Sequence, residues 1–297
     1  MTPAPAFVER DVPIARLTTV GTGGPARWFA RPETLEQLEE LLAWRREEGL
    51  DMTVIGLGSN LLAADAGFDG LVVRLAGELA AIERREDVVH CGGGASLAAV
   101  VKRATGWGLS GVEFGCAIPG TVGGAVRMNA GAYGGELSDV LEVALIVDGV
   151  HERREDAAGL GMRYRHSNVQ PDEVVAWAEL RLTPGDPEAI AATVRDMQRR
   201  RKEAQPSGVR TFGSVWKNPS ADLTAGRLLE QAGLKGYRVG GARISPVHAN
   251  FIENVGDARS SDIVALMAEA RRRAREQGIE LEHEVQMVGP IWLPPDA

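Results

Sequence analysis

The chain has 297 residues, of which 44% are hydrophobic and 25% are charged. This composition excludes a wholly disordered chain, and the length allows two or three subdomains with their own cores. The formal net charge of −8 argues against a dedicated nucleic-acid-binding protein, and no apolar run reaches the roughly 18 residues that span a bilayer.

The spacing of apolar residues predicts a mixture of helices and strands. Helical spacing predicts helices over residues 34–49, 96–107, 187–204, 224–232 and 260–277. Short apolar runs predict strands over residues 52–56, 71–75, 87–91, 141–148, 174–182, 242–244, 250–253 and 281–288. Residues 206–210 form a candidate domain boundary. Because strands and helices do not alternate strictly, we expect an α+β fold.

The N-terminus and the two cysteines bear on the cellular compartment and on metal binding. The first residues, MTPAPAFVERDVPIARL, lack the basic start and apolar run of a signal peptide. Cys91 and Cys116 show no CxxC spacing and no histidine partners at metal-binding spacing. We therefore expect two reduced core thiols in a cytoplasmic protein, and no metal site.

Glycine is concentrated in residues 118–136, IPGTVGGAVRMNAGAYGGE. A flexible linker is rich in glycine and serine and has few other features, whereas this stretch also carries proline, methionine, asparagine and tyrosine. Such glycines indicate positive φ or a close approach of the backbone to something else. Further glycine turns lie at residues 21–27, 56–62 and 92–96. Together these turns favour an extended, phosphate-rich dinucleotide wrapped by backbone amides.

The turn at 56–62, GLGSNLL, follows a strand but does not match the Rossmann motif, because Leu61 occupies its third glycine position. Ser59 and Asn60, with the glycine amides beside them, can form a nest for a pyrophosphate. An ordinary tight turn is the alternative.

Three polar motifs lie further along the chain. YRHS at 164–167 joins an aromatic ring, a cation and a hydroxyl, although it could be a simple polar loop. GSVWKNP at 213–219 sets a serine near Lys217 and Asn218. In LEHEV at 281–285, Glu282 and Glu284 would share one side of a strand with His283 on the other. That arrangement disfavours a metal site, and a surface pair of carboxylates is the alternative.

These motifs, in this order, resemble the UDP-N-acetylenolpyruvoylglucosamine reductase (MurB) family of peptidoglycan precursor synthesis. The resemblance covers residues 18–289 and is carried by GGPAR, GLGSNLLAADAGFDGLVV, GLSGVEFGCAIPGTVGGAVRMNAGAYGGE, YRHS, GSVWKNP, AGLKG, HANFI and LEHEV. The lack of a tyrosine-bearing inserted loop in the C-terminal half is similar to the shorter, second type of the family. The chain departs from many members at Gly21 and Thr22, where they carry a basic residue.

The resemblance implies two FAD-binding subdomains of the vanillyl-alcohol oxidase (PCMH) type and a C-terminal α+β substrate-binding domain. The implied boundaries are 1–68, 69–205 and 206–297. FAD would bind non-covalently, with its flavin against residues 118–126 and its pyrophosphate on GLGSN. The implied cofactor-binding residues are Gly56, Gly58, Ser59, Asn60, Leu61, Ile118, Thr121, Gly123 and Gly124.

The implied activity is that of UDP-N-acetylmuramate dehydrogenase, an NADPH-dependent oxidoreductase of cell-wall biogenesis, and hence of cell shape and division. It would reduce the enolpyruvyl ether of UDP-N-acetylenolpyruvoylglucosamine to UDP-N-acetylmuramate. Arg165 and a protonated Glu284 are implied at the substrate carboxylate, and Ser214 is implied as the proton donor. The implied substrate contacts are Tyr164, Arg201, Lys217, Asn218 and His248, the last of which has a structural role as its alternative.

The UDP-sugar is the implied partner, and no nucleic acid, membrane or obligate protein partner is implied. One alternative is an FAD oxidase of the same superfamily, which the GSVWKNP and LEHEV motifs disfavour. The other alternative is a catalytically silent flavin-binding protein. The intact set of Arg165, Ser214 and Glu284 disfavours that second alternative.

Overall fold

The computed structural model describes residues 2–295. The α-helices are α1 (Leu35–Glu47), α2 (Leu97–Gly106), α3 (Val122–Met128), α4 (Pro187–Ala204), α5 (Ala225–Gln231) and α6 (Ser260–Arg275). The strands are β1 (Val8–Pro13), β2 (Pro25–Ala30), β3 (Met52–Val54), β4 (Leu61–Ala63), β5 (Phe68–Val73), β6 (Ile82–Arg85), β7 (Val88–Gly92), β8 (Leu109–Ser110), β9 (Gly131–Ala132), β10 (Gly135–Glu136), β11 (Leu141–Val147), β12 (Glu152–Glu155), β13 (Val174–Arg181), β14 (Thr183–Pro184), β15 (Arg210–Ser214), β16 (Arg238–Val239), β17 (Ala242–Ile244), β18 (Phe251–Asn254) and β19 (Gln286–Val288).

All the predicted helices are present, with ends within two residues of the prediction. Side-chain caps explain several of their starts: the hydroxyls of Thr34, Ser96 and Thr224 each accept a hydrogen bond from an amide in the first helical turn. The predicted strand over 281–288 is wrong in its first part, because only Gln286–Val288 is a strand. The preceding residues are held by an isolated bridge from His283 to Trp216 instead.

The chain divides into two compact units. The first contains the segment up to Arg10, Trp28–Leu57 and Gly70–Arg201. The second contains Asp11–Arg27, Gly58–Asp69 and the segment from Lys202 onward. The division falls within β1, β2, β5 and α4, and the three-domain scheme with boundaries after residues 68 and 205 stays a prediction.

The first unit is built around the sheet β12-β11-β13-β7-β6. Alternate residues of β11 enter two different cores: Ala144 and Ile146 pack with α2 and α3, whereas Leu145 and Val147 pack with α1 and the sheet β1-β2-β5-β3. A strand segment buried on both faces must be apolar, which explains the run ALIV over residues 144–147.

The second unit packs α5 and α6 against the sheet β15-β18-β17-β16. The predicted inward face of α6 is buried as expected, and its members are Ile263, Leu266, Met267 and Ala270. Each large apolar side chain so buried contributes about 2 kcal/mol of transfer free energy. A separate parallel pair joins β4 to β19.

Asp65 caps α6 from a distant part of the sequence. Its carboxylate accepts hydrogen bonds from the amides of Ser260 (2.8 Å) and Ser261 (3.1 Å). Burial alone would raise the pKa of Asp65, but these amide hydrogen bonds outweigh it and hold the pKa below 3.8. An anion at a helix N-terminus satisfies unpaired amides and the helix dipole together.

We expect Asp65→Ala to destabilise the second unit by about 1 kcal/mol at neutral pH, since it removes this cap. The folded pKa is depressed, so the stabilisation is present above about pH 4, the unfolded pKa, and is lost as pH falls through the folded value. Chemical denaturation near neutral and acidic pH measures both effects. Asp69→Ala, which removes a carboxylate that is 82% exposed, is the matched control. A stability difference that does not shrink in acid would contradict the capping role.

Candidate active site

A cavity of about 300 Å³ lies in the first unit. The segments that follow β3 and β5 border it. These two strands are parallel, so both end at the same edge of their sheet. Four residues predicted to bind the cofactor line it: Gly56, Thr121, Gly123 and Gly124. Ile118, also predicted there, packs against the hydrophobic core of the unit.

Glycine is required in the cavity wall because its segments touch one another. A Cβ on Gly93 would lie 1.9 Å from the Val175 carbonyl oxygen, and a Cβ on Gly56 would lie 2.4 Å from the Thr121 Oγ1. Neither distance is compatible with a side chain. Glycine at these positions therefore allows the neighbouring segments of the cavity wall to pack against each other. It also leaves bare backbone at the cavity surface, which can approach a ligand closely.

Three arginines and a glutamate line the same cavity: Arg31, Arg74, Arg127 and Glu173. Burial lowers the pKa of Arg127, which Glu173 opposes, but arginine stays charged in proteins. Burial alone would raise the pKa of Glu173, yet hydrogen bonds from Arg153 (3.1 and 2.8 Å) and from a backbone amide lower it overall. The cavity thus has excess positive charge, which suits the phosphates of a dinucleotide.

None of these four charged residues carries a motif that predicted it in the sequence. Arg74 directly follows β5, so a search of positions just after the parallel strands could have found it. Glu173 lies in a loop with no distinguishing motif, and only the fold brings it to the cavity.

The YRHS motif forms a tight turn in the first unit. Arg163 and His166 exchange backbone hydrogen bonds of 3.1 and 2.9 Å across it. Arg165 has φ of +54°, at a turn position that favours glycine. Its guanidinium lies 5.0 Å from the Tyr164 ring centroid and donates to the Gly131 carbonyl at 2.9 Å. A strained, well-held arginine beside an exposed tyrosine is typical of a binding site.

The glycine-rich segment 118–136 holds this turn in place. Asn129, fully buried at the end of α3, donates from its side chain to the Arg163 carbonyl (3.3 Å) and accepts from the Ser138 amide (3.0 Å). The Ser167 hydroxyl donates to the Arg127 carbonyl at 2.8 Å. The MNAG part of the segment is therefore a platform for the turn that carries Arg165.

Ser214 and Glu284 lie on neighbouring segments of the second unit. The Glu284 amide donates to the carbonyl of Val215, the residue after Ser214, at 2.9 Å. Within residues 2–295, no side chain or backbone group hydrogen-bonds the Ser214 hydroxyl. The half-buried Ser59 contributes to the same region, since its carbonyl oxygen is 3.4 Å from the position of a Cβ on Gly213. Ser214 thus combines a fixed backbone with an uncommitted hydroxyl.

Gly58 of the GLGSN turn packs closely against the backbone of Leu17 and Thr18. It has φ of +65°, and a Cβ there would lie 2.0 Å from the Leu17 carbonyl oxygen. Leu61, which follows in the motif, is buried and begins β4. Packing within the second unit is therefore sufficient to explain both residues.

Asn60 connects this turn to the LEHEV motif. Its side-chain amide donates to the Glu284 carbonyl at 2.9 Å, and its own carbonyl accepts from the Gln286 amide at 3.0 Å. The turn predicted to hold a pyrophosphate is thus bonded directly to the backbone of a predicted catalytic residue.

Two predicted substrate contacts have protein partners in the second unit. The Lys217 ammonium pairs with Glu282 at 2.5 Å. The Asn218 side-chain oxygen accepts from the Ala225 amide at 3.1 Å, at the start of α5. A ligand phosphate would have to compete with the Glu282 carboxylate for Lys217.

His248 and Arg201 are both half-buried. The Nδ1 of His248 accepts from the Asn250 amide at 3.2 Å, and burial lowers the pKa of His248. A Cβ on Gly226 would lie 2.5 Å from the His248 Cε1, which accounts for a glycine in α5. Arg201, at the end of α4, is close enough to Cys116 to oppose the rise in thiol pKa that burial causes.

Among the described residues, no set of three or more histidine, cysteine or acidic side chains is placed to hold a metal ion. Over the same residues, no helix is long and apolar enough to cross a membrane.

The glycine-walled, positively charged cavity defines a dinucleotide-binding protein, and a family model described as an FAD binding domain matches residues 26–150. A second model, described as the C-terminal domain of UDP-N-acetylenolpyruvoylglucosamine reductase, matches residues 205–288. The chain belongs to the UDP-N-acetylenolpyruvoylglucosamine reductase family.

Relatives support this membership over nearly the whole chain. The reductase of Anaeromyxobacter dehalogenans strain 2CP-C is 44% identical over 97% of this chain and 87% of its own length. Reductase 2 of Symbiobacterium thermophilum is 42% identical over 98% and 96%. The crystal structure of the Thermus caldophilus enzyme (MurB) superposes with a TM-score of 0.83 at 39% identity, covering 95% of this chain and 98% of that one. The predicted family, fold class and FAD cofactor are confirmed, and the oxidase alternative is not favoured.

Proposed function

We propose that this chain is an NADPH-dependent flavoenzyme that reduces UDP-N-acetylenolpyruvoylglucosamine to UDP-N-acetylmuramate in peptidoglycan precursor synthesis. The observation that carries the proposal is the 44% identity to a reductase of that name over 97% of the chain. The protein would act in the cytoplasm on a small UDP-sugar, without a nucleic acid, a membrane or an obligate protein partner.

The residues around the cavity of the first unit fit FAD. Gly56, Thr121, Gly123 and Gly124 offer backbone at the cavity surface, and the lining arginines supply charge for the pyrophosphate. These residues would hold FAD non-covalently, and the cofactor would supply the hydride chemistry between NADPH and the vinyl carbon of the substrate. Gly58, Ser59, Asn60, Leu61 and Ile118 stay predicted cofactor-binding residues, although Gly58, Leu61 and Ile118 have sufficient packing reasons of their own.

Arg165 would stabilise negative charge that develops beside the substrate carboxylate. Its strained φ and its hydrogen bond to Gly131 hold the guanidinium in one orientation, so little reorganisation is needed when charge appears. Tyr164, which is 50% exposed under that guanidinium, would contact the substrate.

Ser214 would deliver the proton to the α-carbon, and Glu284 would act at the substrate carboxylate. A serine hydroxyl is a weak acid, so this role requires a strongly basic, carbanion-like acceptor. The uncommitted hydroxyl and the hydrogen bond that joins the two backbones support the pairing of these residues.

The remaining substrate contacts follow from charge and hydrogen-bonding capacity. Lys217 would exchange Glu282 for a substrate phosphate, with Asn218 beside it. His248, whose Nδ1 accepts a hydrogen bond, would offer a proton on Nε2. Arg201, whose charge lies near Cys116, would complete the set, and residues 206–297 would form the substrate-binding domain.

The visible spectrum of the purified protein tests the function. We expect flavin bands that bleach with NADPH and, without oxygen, recover only when the enolpyruvyl substrate is added. An oxidase would recover with oxygen and not with that substrate. A protein whose flavin bands do not respond to the substrate would contradict the proposal.

A further inference from the structure

Ser214 follows an irregularity in its strand. In the pairing of β15 with β18, Thr211 is opposite Glu253 but Ser214 is opposite Phe251, so β15 contains one extra residue. Gly213 within it has φ of +84°. An extra residue with a left-handed glycine is a β-bulge, which interrupts the ladder and redirects the next side chain. The direction of the Ser214 hydroxyl is therefore set by what fixes the chain after the bulge.

Asn250 fixes the chain at that point. Its backbone carbonyl accepts from the Val215 amide at 2.9 Å. Its side-chain oxygen accepts from the Trp216 amide at 2.9 Å, and its side-chain nitrogen donates to the Trp216 carbonyl at 2.9 Å. Asn250 is 4% exposed. One buried amide thus replaces the ladder hydrogen bonds that a strand residue would make.

The opposite edge of the same segment is bonded to the LEHEV motif. The Val215 carbonyl accepts from the Glu284 amide, and the Lys217 amide donates to the Glu282 carbonyl, both at 2.9 Å. Residues 215–217 are therefore held between Asn250 on one side and residues 282–284 on the other. A shift of Asn250 would move Ser214 relative to Glu284.

We infer that Asn250 is a positioning residue that keeps Ser214 and Glu284 in register for proton delivery, an inference that rests on the role proposed for Ser214. A purely structural asparagine would stabilise the fold and affect every step of the reaction alike. A positioning residue affects the step that needs the proton, because a displacement of about 1 Å can cost up to about 10²-fold in rate.

Asn250→Asp separates these possibilities. An ionised aspartate still accepts from the Trp216 amide, but its second oxygen then faces the Trp216 carbonyl and repels it. At a site this buried the pKa of the new carboxyl is raised, and the protonated acid restores a donor where the amide nitrogen was. The defect should therefore be relieved by acid.

The experiment is anaerobic stopped-flow on the FAD-loaded protein between about pH 6 and about pH 8.5, with each rate divided by that of the wild type. At the alkaline end we expect reoxidation by the enolpyruvyl substrate to be slowed at least about 10-fold, with bleaching by NADPH within about 2-fold of normal. Towards pH 6 the reoxidation ratio should rise at least about 5-fold. The charged and titratable groups next to this segment are His248, His283, Glu284, Lys217, Glu282 and Arg271, and they are present in both proteins, so dividing by the wild-type rate is the control for them.

Asn254→Asp is the matched control, since Asn254 ends β18, the strand that Asn250 immediately precedes, and the chemical change is the same. Its side chain donates to the Val20 carbonyl at 2.9 Å and accepts from the Gly256 amide at 3.1 Å, away from residues 214–217. We expect both of its rates to stay within about 2-fold of normal at every pH.

A ratio that stays flat with pH, or equal slowing of both half-reactions, would overturn the inference and leave the proposed function intact. Wild-type protein that the substrate cannot reoxidise would overturn the proposed function, and this inference with it. If Asn250→Asp does not retain FAD, Asn250→Ser keeps a smaller donor and acceptor. The same loss confined to reoxidation is then expected, and equal loss in both steps would overturn the inference.

Discussion

Ser214→Ala should bleach with NADPH at close to the normal rate and reoxidise with the enolpyruvyl substrate at least about 10²-fold more slowly. Hydride transfer between nicotinamide and flavin depends on stacking and orientation and needs no proton from this serine. Protonation of the α-carbon does need a donor, and among the described residues the Ser214 hydroxyl has no hydrogen-bond partner. Anaerobic stopped-flow measures the two half-reactions separately.

Two further variants define what the Ser214 result means. Cysteine at this position is a stronger acid and should recover part of the loss. Ser207→Ala removes an exposed hydroxyl from the same unit and should leave both rates unchanged. Equal slowing of both half-reactions by Ser214→Ala would make Ser214 structural, and slowing of neither would remove it from the mechanism.

Gly124→Val should yield a folded protein that has lost FAD. Gly124 lines the cavity, and the only atom near the position of its Cβ, among those of the described residues, is the Thr121 Oγ1 at 3.6 Å. The branched side chain therefore fits the protein but fills space that the cofactor needs. We expect the FAD affinity to fall at least about 10²-fold, because a well-packed site cannot absorb an added isopropyl group. Fluorescence titration of the apoprotein with FAD measures this affinity, and circular dichroism checks the fold.

Gly106 provides the control for this variant. It is the exposed last residue of α2 in the same unit, it does not line the cavity, and no atom of the described residues outside its own helix and its chain neighbours lies within 4 Å of its Cβ position, so Gly106→Val should keep its FAD. Gly123→Val would be ambiguous, because a Cβ there lies 3.1 Å from the Gly93 carbonyl oxygen and would strain the wall itself. Yellow Gly124→Val protein with unchanged FAD content would contradict the cofactor placement.

The sequence predicted the helices well because each buries one apolar stripe, and the 3.6-residue period of that stripe is visible in α1, α4 and α6. Its glycine-rich turns also indicated backbone that can approach a ligand, and Gly56, Thr121, Gly123 and Gly124 from these turns line the cavity, while their binding to FAD stays a prediction. The sequence failed for β15, whose bulge at Gly213 breaks the period of two. It could not predict Glu173 at the cavity or Asn250 against Trp216, because these contacts join residues far apart in sequence and have no local pattern.

The parallel pairing of β4 with β19 also has a consequence for the order in which the protein is assembled. Leu61 is paired with Gln286, so the two strands are connected by a very long loop whose closure is entropically costly and slow. The chain is synthesised from its N-terminus, and β4 must therefore wait without its partner until Gln286–Val288 has been made. The hydrogen bond from Asn60 to Glu284 also forms only at that stage. The proton-transfer part of the enzyme consequently matures only after β19 has been made, and a truncation that ends the chain after Val285 should abolish reoxidation by the substrate.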